Sequence, residues 1–172
     1  MWPEESEVCR DEGDLRPYDP ADTEVLVPFV TAFWAVHHTR VDADEARQEL
    51  ADWSSGRHRL YVIEADGTSA GFLHLNRRGP IAAWVEELFV TESLRGRGIA
   101  GEAIRQAEAL VRAEGVEALC MDVAADNVPA LRLYHHLGFD RLSLITVRKD
   151  FEPFETARVE HLGGLDFRVK QC

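Results

Sequence analysis

A glycine-rich segment in the middle of the chain has the residue types and spacing best suited to chemistry. It reads Arg-Gly-Arg-Gly-Ile-Ala at positions 95–100 and joins a β-rich run to an amphipathic helical pattern. The first amides of a helix have no intrahelical acceptor and lie at the positive end of the helix dipole, and glycine lets an anion approach the backbone. The spacing therefore predicts a phosphate-binding turn. Taken alone, the loop leaves an ordinary glycine turn with solvated arginines open.

The same glycines also satisfy a second pattern. Gly96, Gly98 and Gly101 match GxGxxG, and Asp122 lies near the distance at which dinucleotide-binding folds place a ribose-binding acid. An NAD-binding oxidoreductase is therefore an alternative. Against it, the loop follows a β-meander in mid-chain, and the residues after it can hardly hold the further βαβ units of such a fold.

The elements that must position this loop form a mixed α/β pattern. Turn signals at 66–67 and 79–80 separate three β-rich runs, which predicts an antiparallel meander. A strand, a helix and a strand follow, which favours parallel pairing of the two flanking strands. The predicted strands are 15–18, 59–64, 70–76, 82–90, 118–123, 142–149 and 165–170. Four helices are predicted: the first begins at Asp22 or Thr23, the second spans 42–53, the third starts near Ile99 and the fourth ends at Leu137.

Composition limits the class of protein. The chain has 172 residues, of which 45% are hydrophobic, enough for one core and too few for two ordinary domains. We expect a flexible acidic leader at 1–13 and a single domain at 14–172. No apolar run is long enough to span a membrane, and the acidic N-terminus differs from a secretory signal, so a cytoplasmic protein without membrane contact is expected.

Charge and cysteine content narrow the expected partners. Nineteen Lys and Arg against 31 Asp and Glu give a formal charge of −12, which disfavours nucleic acid and favours cationic small molecules. The same acidity could serve solubility alone. Cys9, Cys120 and Cys172 are widely and irregularly spaced, so neither a disulfide framework nor a metal site is expected.

A second motif follows the loop at the distance that a known family requires. Residues 122–139 read DVAADNVPALRLYHHLGF. Together with the loop, this segment resembles the GNAT acetyltransferases, over roughly 15–170 and most strongly over 86–139. Arg95, Gly98 and Ala100 fill the family's central motif, and Asn127, Ala130, Tyr134 and the Gly138-Phe139 pair fill its second motif.

The resemblance implies a fold and a donor. The fold is the acyl-CoA N-acyltransferase fold, a largely antiparallel sheet of six to seven strands with a central parallel pair and about four flanking helices. The donor is acetyl-CoA, with no metal. Main-chain groups on the strand before the loop would pair with the pantetheine arm, and loop amides would cradle the pyrophosphate. The implied cofactor-binding residues are Leu88, Phe89, Val90, Arg95, Gly96, Arg97, Gly98, Ile99, Ala100, Asn127, Ala130 and Tyr134, although helix capping alone would explain Asn127.

The resemblance also suggests catalytic residues. Tyr134 matches the general acid, because a phenol with an ordinary pKa of about 10 can donate a proton to the departing thiolate. A core tyrosine is the alternative. The run VEELFV is similar to polyamine acetyltransferases, in which the base falls at Glu86. Alternation along a strand predicts that Glu86 and Glu87 point to opposite faces, so that only one of them can meet the substrate. Phe33, Trp34, His37 and Glu87 are candidates for the acceptor pocket, and His37 or His38 could shuttle a proton.

These residues predict transfer of an acetyl group from acetyl-CoA to a primary amine by direct attack in a ternary complex. The acidic balance favours a small cationic acceptor of the polyamine or aminoglycoside type. The alternatives are a protein or peptide N-acetyltransferase and a non-catalytic CoA-binding sensor. A homodimer is also expected, because a C-terminal hairpin in this fold often mediates dimers.

Overall fold

The computed structural model describes residues 13–152 and 156–170, and the chain divides after Asp122 into two compact units. Apart from Gly13, the predicted leader at 1–13 lies outside the described residues, as does Cys172. The single domain predicted for 14–172 stays a prediction.

The first unit is built on a five-stranded sheet in the order β1-β2-β3-β4-β5. Neighbouring strands are antiparallel except β4 and β5, which are parallel and joined by α3. The predicted meander and the predicted crossover are therefore confirmed. The elements are β1 (Asp14–Pro17), α1 (Thr23–Val36), α2 (Ala43–Trp53), β2 (His58–Ala65), β3 (Thr68–Asn76), β4 (Ala82–Val90), α3 (Ile99–Ala113) and β5 (Ala118–Met121).

Two hydrophobic clusters hold helices against opposite faces of this sheet. On one face α1 and α2 bury Leu26, Val30 and Leu50 with Phe72 and Phe89 from the strands. On the other face α3 buries a helical stripe of small and branched residues, Ile99, Ala103, Ala107 and Val111. Because β4 contributes to both clusters, its backbone is fixed at the point where it enters the glycine-rich loop.

The second unit contains α4 (Val128–His136) and a hairpin of β6 (Thr156–Leu162) and β7 (Leu165–Lys170). The strand predicted at 142–149 is wrong, because these residues form no strand, and Leu142, Leu144 and Val147 are largely exposed. An alternating apolar pattern becomes a strand only where a neighbour completes its hydrogen-bond ladder. The sequence prediction also missed β6.

The mixed α/β class is confirmed, and its seven described strands divide between two sheets. The parallel pair lies at the edge of the larger sheet rather than at its centre, because β6 and β7 pair only with each other among the described residues. None of the described helices is both long and apolar enough to cross a bilayer.

Candidate acetyl-CoA and acceptor site

The glycine-rich loop has an open cradle at the start of α3. Gly96 and Gly98 have φ angles of +76° and +85°, in the left-handed region that glycine adopts without strain. Apart from the adjacent residues in the chain, no atom of the described residues lies within 4 Å of the position that a Cβ would take at either glycine. Among the described residues the amides of Gly96 and Gly98 donate to no acceptor. Free amides, an open surface and a helix N-terminus together fit a phosphate group.

The edge of β4 that leads into this cradle is open to a ligand. In the first unit β5 pairs with β4 only over Ala82–Val85, which leaves the same edge of residues 86–90 without a partner strand. The Phe89 carbonyl is directed at β3, since it would lie 1.9 Å from a Cβ on Gly71. The backbone N–H and C=O groups of successive residues point to alternate edges of a strand, so those of Leu88 and Val90 point to the open edge of β4. Their side chains pack into the core, so a ligand on this edge would meet main chain.

The two arginines of the loop make contacts within the first unit. Arg95 donates through Nε to the Val90 carbonyl at 2.9 Å, and its guanidinium lies over the Phe89 ring. Its own amide donates to the Glu92 carbonyl, so the set of available loop amides starts at Gly96. Arg97 forms a two-pronged pair with Asp66 at 2.7 and 3.1 Å. Both side chains therefore fix the loop's shape.

In the second unit, α4 orders the residues of the second motif. The Asn127 side chain accepts a hydrogen bond from the Ala130 amide at 3.2 Å and so caps the helix, as its position predicted. Tyr134 is half-buried, its ring is 6.1 Å from that of Phe139, and burial raises the pKa of its phenol above the ordinary value of 10. A phenol with a raised pKa stays protonated at neutral pH and can donate a proton. The roles of Asn127, Ala130 and Tyr134 toward a ligand stay predictions.

A bulge in β4 changes the expected geometry of the paired glutamates. Glu87 lies opposite His74, and Val85 lies opposite the next residue of β3, so Glu86 is an extra residue without a partner. Glu86 contacts Asn76, and Glu87 contacts His74. His74 and Asn76 share one face of β3, because they are two residues apart. The premise that Glu86 and Glu87 point to opposite faces is therefore wrong.

Glu86 is held in an ion-pair network. It accepts from Asn76 Nδ2 at 2.9 Å and Arg78 Nε at 2.8 Å, and Arg78 Nη2 bonds its second oxygen. Arg78 also pairs with Asp122 at 2.9 Å. The Arg78 hydrogen bond, supported by Asn76, holds the pKa of Glu86 below its ordinary value against the opposing effect of burial. Such a carboxylate is a weak base, so these contacts count against the predicted base role of Glu86.

Glu87 belongs to a different series of hydrogen-bonded side chains. Its Oε2 is 2.5 Å from Nδ1 of His74, and Nε2 of His74 is 2.8 Å from Nδ1 of His58. The side chain of His74 is 3% exposed and that of Glu87 is 19% exposed. The Trp53 ring stacks on His74 with centroids 5.4 Å apart. One carboxylate oxygen of Glu87 is thus held by His74, while the side chain remains partly exposed to solvent.

The predicted acceptor-pocket residues of α1 form an aromatic group beside an acid that the sequence analysis missed. Phe33 and Trp34 pack edge to face, and His37 lies 4.6 Å from Phe33 between ring centroids. Trp34 donates through Nε1 to Glu49 at 2.5 Å. Burial raises the pKa of Glu49 against the lowering effect of that bond, and the charge of Glu87 raises it further. Two neighbouring carboxylates beside aromatic rings form a setting that favours a cation.

The profile of the acetyltransferase (GNAT) family matches residues 26–139, which include the cradle, the bulged strand and α4. The fold and the cradle define a CoA-binding type of α/β protein, and this chain belongs to the GNAT acetyltransferase family. Family membership decides against the dinucleotide-binding alternative.

Individual relatives share limited sequence identity with this chain. A mycothiol acetyltransferase of Brachybacterium faecium is 33% identical over 107 residues, which cover 59% of this chain and 31% of the relative. A streptothricin acetyltransferase of Streptomyces lavendulae is 29% identical over 104 residues, which cover 57% of this chain and 53% of the relative. The chain thus spans about a third to a half of these relatives.

Solved structures share the fold. An aminoglycoside N-acetyltransferase in complex with CoA superposes with a TM-score of 0.68 at 18% identity, covering 81% of this chain and 95% of that one. An aminoglycoside 6'-N-acetyltransferase of Acinetobacter haemolyticus gives a TM-score of 0.65 at 18% identity, covering 81% of this chain and 99% of that one.

Proposed function

We propose that this chain is an acetyl-CoA-dependent N-acetyltransferase that acts on a small cationic amine. The observation that carries the proposal is the pairing of an open glycine cradle at the start of α3 with an unpaired edge on β4. Family membership supports the same donor. When bound, acetyl-CoA supplies an activated thioester carbonyl that an amine can attack.

The chain's own groups would divide the remaining work. Amides from Gly96 to Ala100 would hold the pyrophosphate, and the backbone groups of Leu88 and the amide of Val90 would hold the pantetheine arm. Tyr134, carried over from the family motif, would give its proton to the departing sulfur. A carboxylate on β4 would take the proton of the amine.

The acceptor class is inferred from the face of the first unit that bears Trp34, Glu49 and Glu87. Its carboxylates and aromatic rings suit an ammonium group, and the net charge of −12 would attract polycations. The names of the streptothricin and aminoglycoside relatives agree with such an acceptor. The mycothiol acetyltransferase relatives favour their own acceptor as a second candidate. The cytoplasmic location and the homodimer stay predictions.

The test follows CoA thiol released from acetyl-CoA with polyamines, aminoglycosides, the acceptor of mycothiol acetyltransferases and peptides. Release with the cationic amines alone would support the proposal. Release with peptides alone would identify a protein or peptide N-acetyltransferase. Binding of acetyl-CoA with no release for any acceptor would instead favour a CoA-binding sensor.

Replacing Tyr134 with phenylalanine should lower kcat by about 100-fold, because a positioned general acid contributes a factor of that order. The KM for acetyl-CoA should change by less than about 3-fold, since only the proton donor is lost. Because burial raises the pKa of Tyr134 above its ordinary value of 10, the pH at which loss of this proton halves the wild-type rate should lie above 10. Tyr61→Phe, a buried tyrosine of β2, is the matched control and should leave kcat unchanged. Equal rates for wild type and Tyr134→Phe would exclude the acid role.

Replacing Glu49 with glutamine should raise the KM for a dicationic acceptor by about 5- to 10-fold and leave kcat nearly unchanged, because one of two attracting carboxylates is lost. The difference between wild type and variant should shrink at high ionic strength. Glu108→Gln, on α3, is the control. A KM that is the same for wild type and Glu49→Gln at low salt would contradict the cation site.

A further inference from the structure

The bulged strand offers two candidate bases, and their surroundings differ. Glu86 already accepts hydrogen bonds from Asn76 and Arg78, with contacts on both of its oxygens. Within the described part of the chain, Glu87 makes one hydrogen bond, between its Oε2 and His74 Nδ1. Among the described residues, its Oε1 accepts no hydrogen bond. A base needs a free lone pair and a hydrogen-bonding path to the amine, and Glu87 meets that requirement better.

From this geometry we infer that Glu87 is the general base for amine acetylation and that His74 and His58 are positioning residues that orient it. The inference rests on the proposed function and specifies which side chain takes the proton. It replaces Glu86, the base suggested by the resemblance, with its neighbour in the chain.

With Glu87 ionised and His74 neutral, the hydrogen bonds define both histidine tautomers. Ionised Glu87 can only accept, so His74 must donate to it through Nδ1–H. Nε2 of neutral His74 then carries a lone pair and must accept from Nδ1–H of His58. The arrangement has the order carboxylate, imidazole, imidazole. The three side chains are hydrogen-bonded one after another. Among the described residues, no three His, Cys, Asp or Glu side chains are grouped so that they could hold a metal ion.

Packing makes this series of hydrogen-bonded side chains rigid. His74 is stacked on Trp53 and on His58, with centroids 5.4 and 4.9 Å apart, and it is almost fully buried. A buried imidazole that bonds on both nitrogens cannot rotate without losing two hydrogen bonds. The Oε2 atom of Glu87 is therefore held from the core side, and Oε1 is left to meet a substrate.

The reaction balances with these groups. The acceptor ammonium first loses one proton to solvent. The neutral amine nitrogen then forms a bond to the thioester carbonyl carbon, the carbon–sulfur bond breaks, and a second proton moves from the nitrogen to Oε1 of Glu87. The departing thiolate gains one proton, for which Tyr134 is the proposed donor, and the Tyr134 phenolate then takes a proton from solvent. Glu87 then returns the amine proton to solvent, which its partial exposure allows.

The test measures kcat and KM of point variants with a cationic amine that the wild type acetylates. Glu87→Gln should lower kcat by about 100-fold, and Glu86→Gln should lower it by clearly less. His74→Leu should lower kcat by about 10-fold or more, whereas His74→Asn should recover most of it, because the asparagine amide can donate from the place of Nδ1. The KM for acetyl-CoA should be unchanged in all four of these variants. A purely structural histidine would not show this recovery.

Two controls separate the outcomes. His161 forms an exposed pair with Asp166 at 2.8 Å in the second unit, and His161→Leu should leave kcat unchanged. If His74→Leu does not fold, His58→Phe keeps a stacking ring and removes the second donor, and it should lower kcat by about 3-fold or more. A larger loss in Glu86→Gln than in Glu87→Gln, or equal rates for His74→Leu and His74→Asn, would overturn the inference. Failure of the wild type to acetylate any amine would instead refute the proposed function.

Discussion

Replacing Gly98 with valine should weaken acetyl-CoA binding by about 100-fold. Gly98 has a φ of +85° directly before α3, a conformation that a β-branched residue adopts only with strain of about 1–3 kcal/mol. A valine side chain would also occupy the open space in which a pyrophosphate would approach the backbone amides. Isothermal titration calorimetry with acetyl-CoA would measure the change in Kd.

The matched control for this variant lies at the other end of the same helix. Gly115, just after α3, has a φ of +74°, and beyond its chain neighbours no described residue has an atom within 4 Å of its Cβ position. Gly115→Val should therefore produce comparable strain and a comparable loss of thermal stability, with an unchanged Kd for acetyl-CoA. If Gly98→Val binds acetyl-CoA as tightly as the wild type does, the loop is only a structural turn.

Replacing Gly71 with alanine should lower the free energy of unfolding by about 3 kcal/mol. An alanine Cβ would lie 1.9 Å from the Phe89 carbonyl oxygen and 3.0 Å from the Val90 Cα, and neither backbone atom can move unless β3 and β4 separate. For a domain of this size the loss corresponds to a fall in Tm of roughly 6–12 °C. Separating the strands would also displace the open edge of β4, so acetyl-CoA affinity should fall as well.

Gly79→Ala controls for the loss of glycine itself. Gly79 lies in the turn between β3 and β4 and has no positive φ, and its Cβ position is more than 4 Å from every described residue other than its chain neighbours. This variant should melt within about 2 °C of the wild type, because an alanine there meets no atom. A normal melting temperature for Gly71→Ala would show that the two strands do not approach as closely as described.

The features that the sequence predicted correctly depend on short-range signals. The glycine-rich turn and the start of the following helix are encoded within 95–100. The helix predicted over 42–53 begins where the structure shows a capping box between Asp42 and Glu45, three residues apart. Gly71 could also have been found, because a glycine inside a strand often marks a close backbone approach. Local chemistry was sufficient for each of these features.

The features that the sequence did not predict depend on contacts between distant residues. The bulge at Glu86 is a property of how β3 and β4 align, and neither strand alone reveals that register. His74 meets Glu87 from 13 residues away, and Glu49 meets Trp34 from 15 residues away on another helix. The strand expected at 142–149 failed for the same reason, since its apolar pattern could not supply a partner.

Transfer of a labelled acetyl group is the most direct measurement of the central claim. The protein would be incubated with acetyl-CoA labelled in its acetyl group and with a small polyamine or aminoglycoside, and the products would be analysed by mass spectrometry. We predict label in an amide of the amine and one free CoA for each amide formed. Saturable acetyl-CoA binding with no label in any amine would contradict the account.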